Sequence, residues 1–198
     1  NCIVEKDGFL SAGVISHWAN ASCGLDALLC VWVLVLGLAV ACLAQTLGAL
    51  YIINNVNDET IRSRARQSLV RSLAAFLLLF LTYLWHVVTK DGYAVAADGT
   101  IVMEPYKYLN NLLALWPVTV LLLVGVVLYL YGTVRTILSK AFICGIWSSG
   151  IGVVLVVLSL LLVVGYNNTA YYPSTADLQS SLTLANSCSS EFTLKTMF

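Results

Sequence analysis

Charged side chains make up only 10% of this 198-residue chain, against roughly 25% in a soluble domain. With 60% hydrophobic residues and a mean hydropathy of +0.88, that scarcity argues against a water-soluble fold and points to lipid. Formal net charge is zero, so the basic excess of a nucleic-acid-binding protein is missing too. Patterns that carry chemistry are equally scarce. There is no Gly-rich phosphate loop, no Ser or Cys nucleophile placed with a base and its orienter, and no His/Cys pair at metal-ligand spacing. The expected catalytic set is therefore none, the expected metal set is none, and no cofactor-binding residue can be named.

Histidine is rare as well, with His17 near the start of the chain and His86 beside Trp85. A lone membrane His is a candidate haem ligand. A haem with two axial protein ligands needs a second strong ligand at matching depth, and the sequence offers no evident one, so His86 reads as an interfacial residue.

What the chain does have is long apolar runs. A hydrocarbon core about 30 Å thick needs roughly 20 apolar residues in helical form, because unpaired backbone amides there cost several kcal/mol each. Four segments reach that length, at about 27–53, 72–88, 112–134 and 141–166. None contains Asp, Glu, Lys or Arg, so the ionisable groups that mark ion and proton paths are missing from mid-membrane. The second run is shortest, but Leu69 and Val70 extend it and Arg71 can snorkel to the interface. Trp32, Trp85, Trp116 and Trp147 lie towards span ends, as interfacial belts do. The expected fold is all-α, a transmembrane four-helix bundle with short extramembrane loops, and a single membrane domain over 1–198. The connecting segments, rich in turn residues such as Asp91-Gly92 and Asp98-Gly99, read as caps.

Charge placement predicts the topology. Loops 54–71 and 135–140 hold six basic and two acidic residues, leaving four basic and eight acidic for the N-terminal segment, the 89–111 loop and the C-terminal tail. The basic side is expected to be cytoplasmic.

Helices in lipid associate through close contact at small residues. The fourth span offers Gly145 with Ser149 and Ser148 with Gly152, and the first offers Gly37 with Ala41 and Ala44 with Gly48. Gln45 and Thr46, polar inside the first span, are expected to bond between helices. Cys30, Cys42 and Cys144 read as small packing residues. Cys2, Cys23 and Cys188 fall on the outer side, where Cys23 with Cys188 is the pairing to test, although three candidates leave the choice open. Asn20-Ala21-Ser22 and Asn167-Asn168-Thr169 match the glycosylation pattern and carry little weight. The chain opens on Asn1 with no visible signal peptide. It closes on Thr193-Leu194-Lys195-Thr196-Met197-Phe198, readable as the first turn of another helix near Thr193, so a fragment is the expectation.

Several local patterns resemble one family. Thr46-Leu47-Gly48-Ala49-Leu50-Tyr51, then Ile61-Arg62-Ser63-Arg64-Ala65, then Trp85 with Asp91-Gly92-Tyr93, then Asn110-Asn111 with Leu115-Trp116, fall in the order seen in subunit II of cytochrome bd quinol oxidase. The tail, with Pro173-Ser174, Ser181-Leu182-Thr183, Ala185-Asn186-Ser187, Ser189-Ser190 and Thr193-Leu194, is the most specific stretch. The resemblance implies the second four-helix bundle, in the C-terminal half of a nine-helix subunit of the bacterial inner membrane. It implies haem b and haem d in a partner, the haem-bearing subunit I, with quinol as substrate of the complex and dioxygen reduced to water. This chain would be a non-haem scaffold touching lipid and offering a hydrophobic surface to quinone. His86 and Lys90 match no family motif, and no site residue transfers. The alternatives are half of a small-solute transporter or channel, which needs inward polar groups, and a tetraspanin-like organiser, which needs a larger cysteine-patterned loop.

Overall fold

The computed structural model describes residues 2–6, 14–18, 21–23, 25–139, 142–165, 167–170 and 177–181. Two strands, β1 (Cys2–Lys6) and β2 (Val14–Trp18), form an antiparallel hairpin, and a short 3-10 turn over Leu25–Leu29 leads into α1 (Val31–Asn55). Next come α2 (Glu59–Thr89), strands β3 (Gly92–Val95) and β4 (Ile101–Glu104), α3 (Lys107–Ala114), α4 (Trp116–Leu138) and α5 (Gly145–Gly165). Four of the helices, α1, α2, α4 and α5, are long and apolar enough to cross a membrane. The expected all-α transmembrane architecture is thus present, and the chain is a multi-pass membrane protein.

All four spans shift from their expected limits, the first to Val31–Asn55 and the fourth to a start at Gly145, and the shifts of the second and third have evident local reasons. The second begins at Glu59 instead of residue 72, and the expected loop 54–71 shrinks to Val56–Asp58. Asp58 caps the helix, its Oδ1 accepting from the amides of Thr60 (2.8 Å) and Ile61 (3.0 Å). No Gly or Pro interrupts the chain from there to Thr89, and arginine is a good helix former. The third span loses residues 112–114 to α3. Pro117 in the first turn of α4 has no amide to donate, and its ring would strike the preceding turn of a continuous helix. The break falls at Leu115, with φ −98° and ψ 61°. Residue 141, Tyr166 and the further helix expected near Thr193 lie outside the described residues.

The bundle is two helical hairpins. α1 packs chiefly on α2 and α4 chiefly on α5, with lighter α1–α5 and α2–α4 contacts joining the pairs. The α4–α5 interface is built on the expected seam. A Cβ on Gly152 would stand 2.5 Å from the Tyr129 amide nitrogen and 2.6 Å from the Gly125 carbonyl oxygen. One on Gly125 would meet the Gly152 carbonyl oxygen at 2.9 Å. Gly132 and Gly145 face each other across the same seam, with no room for a side chain on either. Between them Thr133 Oγ1 and Ser149 Oγ lie 3.1 Å apart, and Ser149 donates to the Tyr129 carbonyl at 3.2 Å. Hydrocarbon gives helices no hydrophobic drive to associate, so this dispersion contact and these bonds hold the pair.

The α1–α2 pair meets the other hairpin in two clusters. Ala39, Leu73, Phe76 and Tyr129 fill one, with Phe76 edge-on to Tyr129 at 5.5 Å between ring centroids. Ala49, Leu50, Ile53, Ala65 and Leu69 form the other, covered by Ile137, Ile143 and Ile146. Few residues of any span are fully buried, and each span keeps large apolar side chains exposed, among them Leu34, Leu78, Val127 and Val154. Gly152→Leu should drive α4 and α5 apart and cost about 1–3 kcal/mol or more. Gly150→Ala, whose Cβ has nothing within 4 Å, should leave the thermal midpoint of the purified complex unchanged. Equal midpoints for both variants would disprove the seam.

Candidate functional site

Three regions hold the polar groups that a membrane bundle must account for: its interior, its loop-rich end and the outward face of α1. In the interior, Thr46 donates to the Cys42 carbonyl (2.9 Å) and lies 3.1 Å from the Ser72 hydroxyl, which in turn reaches the Ser68 and Leu69 carbonyls. Thr133, Thr136 and Ser159 each donate to the carbonyl four residues earlier. These hydroxyls are spent inside the bundle, as expected for Thr46. The Tyr129 hydroxyl, buried beside Thr46, and the buried Nε of Arg62 make no hydrogen bond of ordinary geometry among the described residues.

At the loop-rich end, the segment expected as a cap is a folded unit. Asp98 accepts from both the amide (3.1 Å) and hydroxyl (2.7 Å) of Thr100, which holds its carboxyl below the ordinary value. Gly99 takes φ +82°, where an L side chain would be strained. Together they turn β3 into β4. The Lys107 ammonium, 2.8 Å from Glu104, likewise holds that carboxyl below its usual range. The hairpin then pairs with the chain after α5, through Val95 to Asn168 and Ala170 to Tyr93, both 2.8 Å. Gln179 adds two bonds to the Ile101 backbone at 3.0 Å.

Asn111 fastens this cap to the bundle. Fully buried, it donates to the Val163 carbonyl (2.9 Å) and the Thr169 hydroxyl (2.8 Å), and its oxygen accepts from Asn167 Nδ2 at 2.8 Å. The Asn167 amide that would carry a glycan is therefore engaged. Asn20 lies outside the described residues. His86 stacks flat on Trp32, 3.7 Å between centroids and 2° between planes, tying the start of α1 to the end of α2.

Cysteine expectations are partly corrected. Cys42 is half-buried and packs in the core, whereas Cys30 and Cys144 are exposed, at points where the chain enters a helix and has few neighbours. Cys23 is exposed, and Cys188, its expected partner, lies outside the described residues.

The outward face of α1 overturns a second expectation. Gly37, Ala41, Ala44 and Gly48 are all exposed, and nothing lies within 4 Å of a Cβ on Gly37 or Gly48. Gln45, at the flank of that stripe, is exposed and has no hydrogen bond among the described residues. α2 meets the opposite side of α1, through Ala39, Thr46, Ala49, Leu50 and Ile53. The stripe is thus a flat, narrow face at mid-depth with an unsatisfied carboxamide beside it, where a second helix can approach closely.

A family model described as cytochrome bd terminal oxidase subunit II matches residues 7–198. The chain belongs to that family. No curated protein matches it. Membership makes the chain part of a respiratory quinol oxidase complex that contains haem and pairs this subunit with subunit I.

The described residues of this subunit do not fit a haem. Trp32 covers one face of His86, the one histidine whose side chain is described, and Phe76 and Tyr129 pack between the hairpins. The side chain of His17 is outside the described structure. Asn111 and Ala65, quoted for the resemblance, prove structural: Ala65, within α2, is buried in the core and Asn111 bonds the cap. Composition hides that role, since an Asn flanking an apolar run usually reads as solvent-facing.

Two substitutions test the polar accounting. Asn111→Ala leaves a buried carbonyl and hydroxyl without a donor and should lower stability by about 1–3 kcal/mol per orphaned group, read as faster amide exchange in β3 and after α5. Tyr129→Phe removes a buried hydroxyl that makes no hydrogen bond of ordinary geometry, so the thermal midpoint should hold or rise. A fall equivalent to more than about 1 kcal/mol would mean the hydroxyl is bonded.

Proposed function

We propose that this chain is a non-haem structural subunit, which braces the haem-bearing subunit I of a cytochrome bd quinol oxidase in a bacterial inner membrane. The observation that carries this reading is the outward face of α1. Its small residues give no packing to the bundle, and an unpaired carboxamide facing hydrocarbon costs several kcal/mol. A partner helix laid on Gly37, Ala41, Ala44 and Gly48 gains close backbone contact and supplies a group for Gln45 to bond.

In this reading, quinol oxidation and dioxygen reduction occur at the partner's haem b and haem d. This subunit contributes no catalytic residue; it shields subunit I from lipid and leaves apolar surface where quinone can rest. The arginine-bearing end faces the cytoplasm, and the β3–β4 cap and the tail face outward.

Isolation of the complex through a tag on this chain should bring down a larger subunit with the haem d absorption bands. His86→Ala should leave the reduced-minus-oxidised spectrum intact. Loss of a stoichiometric haem in that variant would refute the division between the subunits. Ala44→Leu, which fills the stripe, should cut recovery of the larger subunit several-fold while the chain itself still folds. Unchanged recovery would move the docking face elsewhere.

A further inference from the structure

The outward face of α2 between Arg64 and Arg71 carries a different kind of polar group, and its depth indicates what covers it. With 31 residues, α2 is about 46 Å long at about 1.5 Å per residue, well beyond a hydrocarbon core about 30 Å thick. Arg71 stands about 27 Å along the axis from Thr89, at the edge of that core, and Arg64 lies about 10 Å further out, within the headgroup layer. Seven residues is close to two full turns, so the two guanidiniums share one face. Gln67 and Ser68 sit between them, three and four residues on from Arg64, and all four are exposed.

Arg62 is half-buried, its Nε unpaired and turned away from this face, and the other neighbouring charges with described side chains are committed elsewhere. Asp58 caps α2, and Glu59 lies 3.8 Å from Arg66. Arg66 turns inward, its Nε donating to the Thr136 carbonyl at 3.3 Å. Arg135 donates to the Tyr131 hydroxyl at 2.7 Å and stands over the Phe142 ring. Arg64 and Arg71 have neither an ion pair nor a hydrogen bond among the described residues. Below Arg71 the same face continues through the exposed Ala74, Ala75 and Leu78, and the two alanines leave a shallow apolar track above the leucine.

We propose that this face binds an anionic phospholipid, its phosphate held between Arg64 and Arg71 with Gln67 and Ser68 beside it, and an acyl chain lying along Ala74 and Ala75. Guanidinium matches phosphate in geometry and charge, and two uncompensated cations favour a headgroup of net negative charge over a zwitterionic one. The inference goes beyond the oxidase reading and rests only on the four-span architecture.

The test uses the whole complex, held in nanodiscs of phosphatidylcholine with increasing phosphatidylglycerol, and counts retained phosphatidylglycerol by native mass spectrometry. Wild type should prefer phosphatidylglycerol, and added salt should weaken that preference. The double variant Arg64→Gln/Arg71→Gln should bind it about 30-fold more weakly, from about tenfold or less per arginine. The control Arg135→Gln should not change it. Equal retention in the double variant, or an equal loss in the control, overturns the proposal. So does loss of subunit I from the double variant with lipid retained, which would make the face a protein interface. Should the double variant fail to assemble, the wild-type titration decides alone: no preference for phosphatidylglycerol over phosphatidylcholine overturns the site, and a salt-sensitive preference supports it.

Discussion

Backbone-to-backbone contact between α4 and α5 at Gly125, Gly132, Gly145 and Gly152 is the constraint on which the rest of the bundle depends. Lipid tails compete on equal terms with leucine side chains, so an interface made of large apolar residues alone would gain little by forming. Removing side chains lets the two backbones approach until carbonyl oxygens meet α-carbons, and every atom along the seam then has a dense partner. Thr133 and Ser149 add hydroxyl bonds in the narrow gap. The seam also fixes where α5 ends. Only with α5 held at that height does the Val163 carbonyl meet Asn111, and only then can the chain after α5 pair with β3. The cap is thus a consequence of a glycine seam on the far side of the membrane from much of it.

The second hairpin is held differently. α1 and α2 share one buried hydroxyl pair, Thr46 with Ser72, and otherwise pack through Ala39, Ala49, Leu50, Leu69 and Leu73. Trp32 on His86 closes its end away from the α1–α2 turn. With only lighter contacts between the hairpins, the halves are kept in register by the Phe76–Tyr129 contact, by Ile137, Ile143 and Ile146 over the Leu50–Ile53 cluster, and by the Arg66 bond to Thr136. A subunit of that build gains rigidity from a neighbour, which agrees with its membership of an oxidase assembled from more than one chain.

Much of this was legible in the sequence, because apolar length and the spacing of small residues act locally. The four spans, the seam at Gly145, Ser149 and Gly152, and the family itself could all be read from residue order. Helix limits were less legible, since hydropathy reports where lipid begins and not where hydrogen bonding stops. Arginines that end an apolar run do not end a helix, and so α2 continues to Asp58. The direction of a face was hardest to read. Gly37, Ala41, Ala44 and Gly48 have the same spacing as the working seam of α5, yet face outward, because which side of α1 meets α2 is decided by Thr46, Leu50 and Ile53 and not by the stripe. Gln45 and Thr46 are adjacent in sequence and about 100° apart around the helix, so one was bound to face away.

That angular separation organises the polar groups on the bundle's exterior. A carboxamide at the middle of α1 is beyond the reach of any lipid headgroup, so only another protein segment can satisfy it. Guanidiniums at the end of α2 stand at phosphate depth, where a headgroup suffices and a protein is not required. Depth along the helix therefore sorts unpaired polar groups by what can cover them: protein near the midplane, lipid phosphate near the edge. The two faces need not compete, because they belong to different helices and different levels of the same membrane.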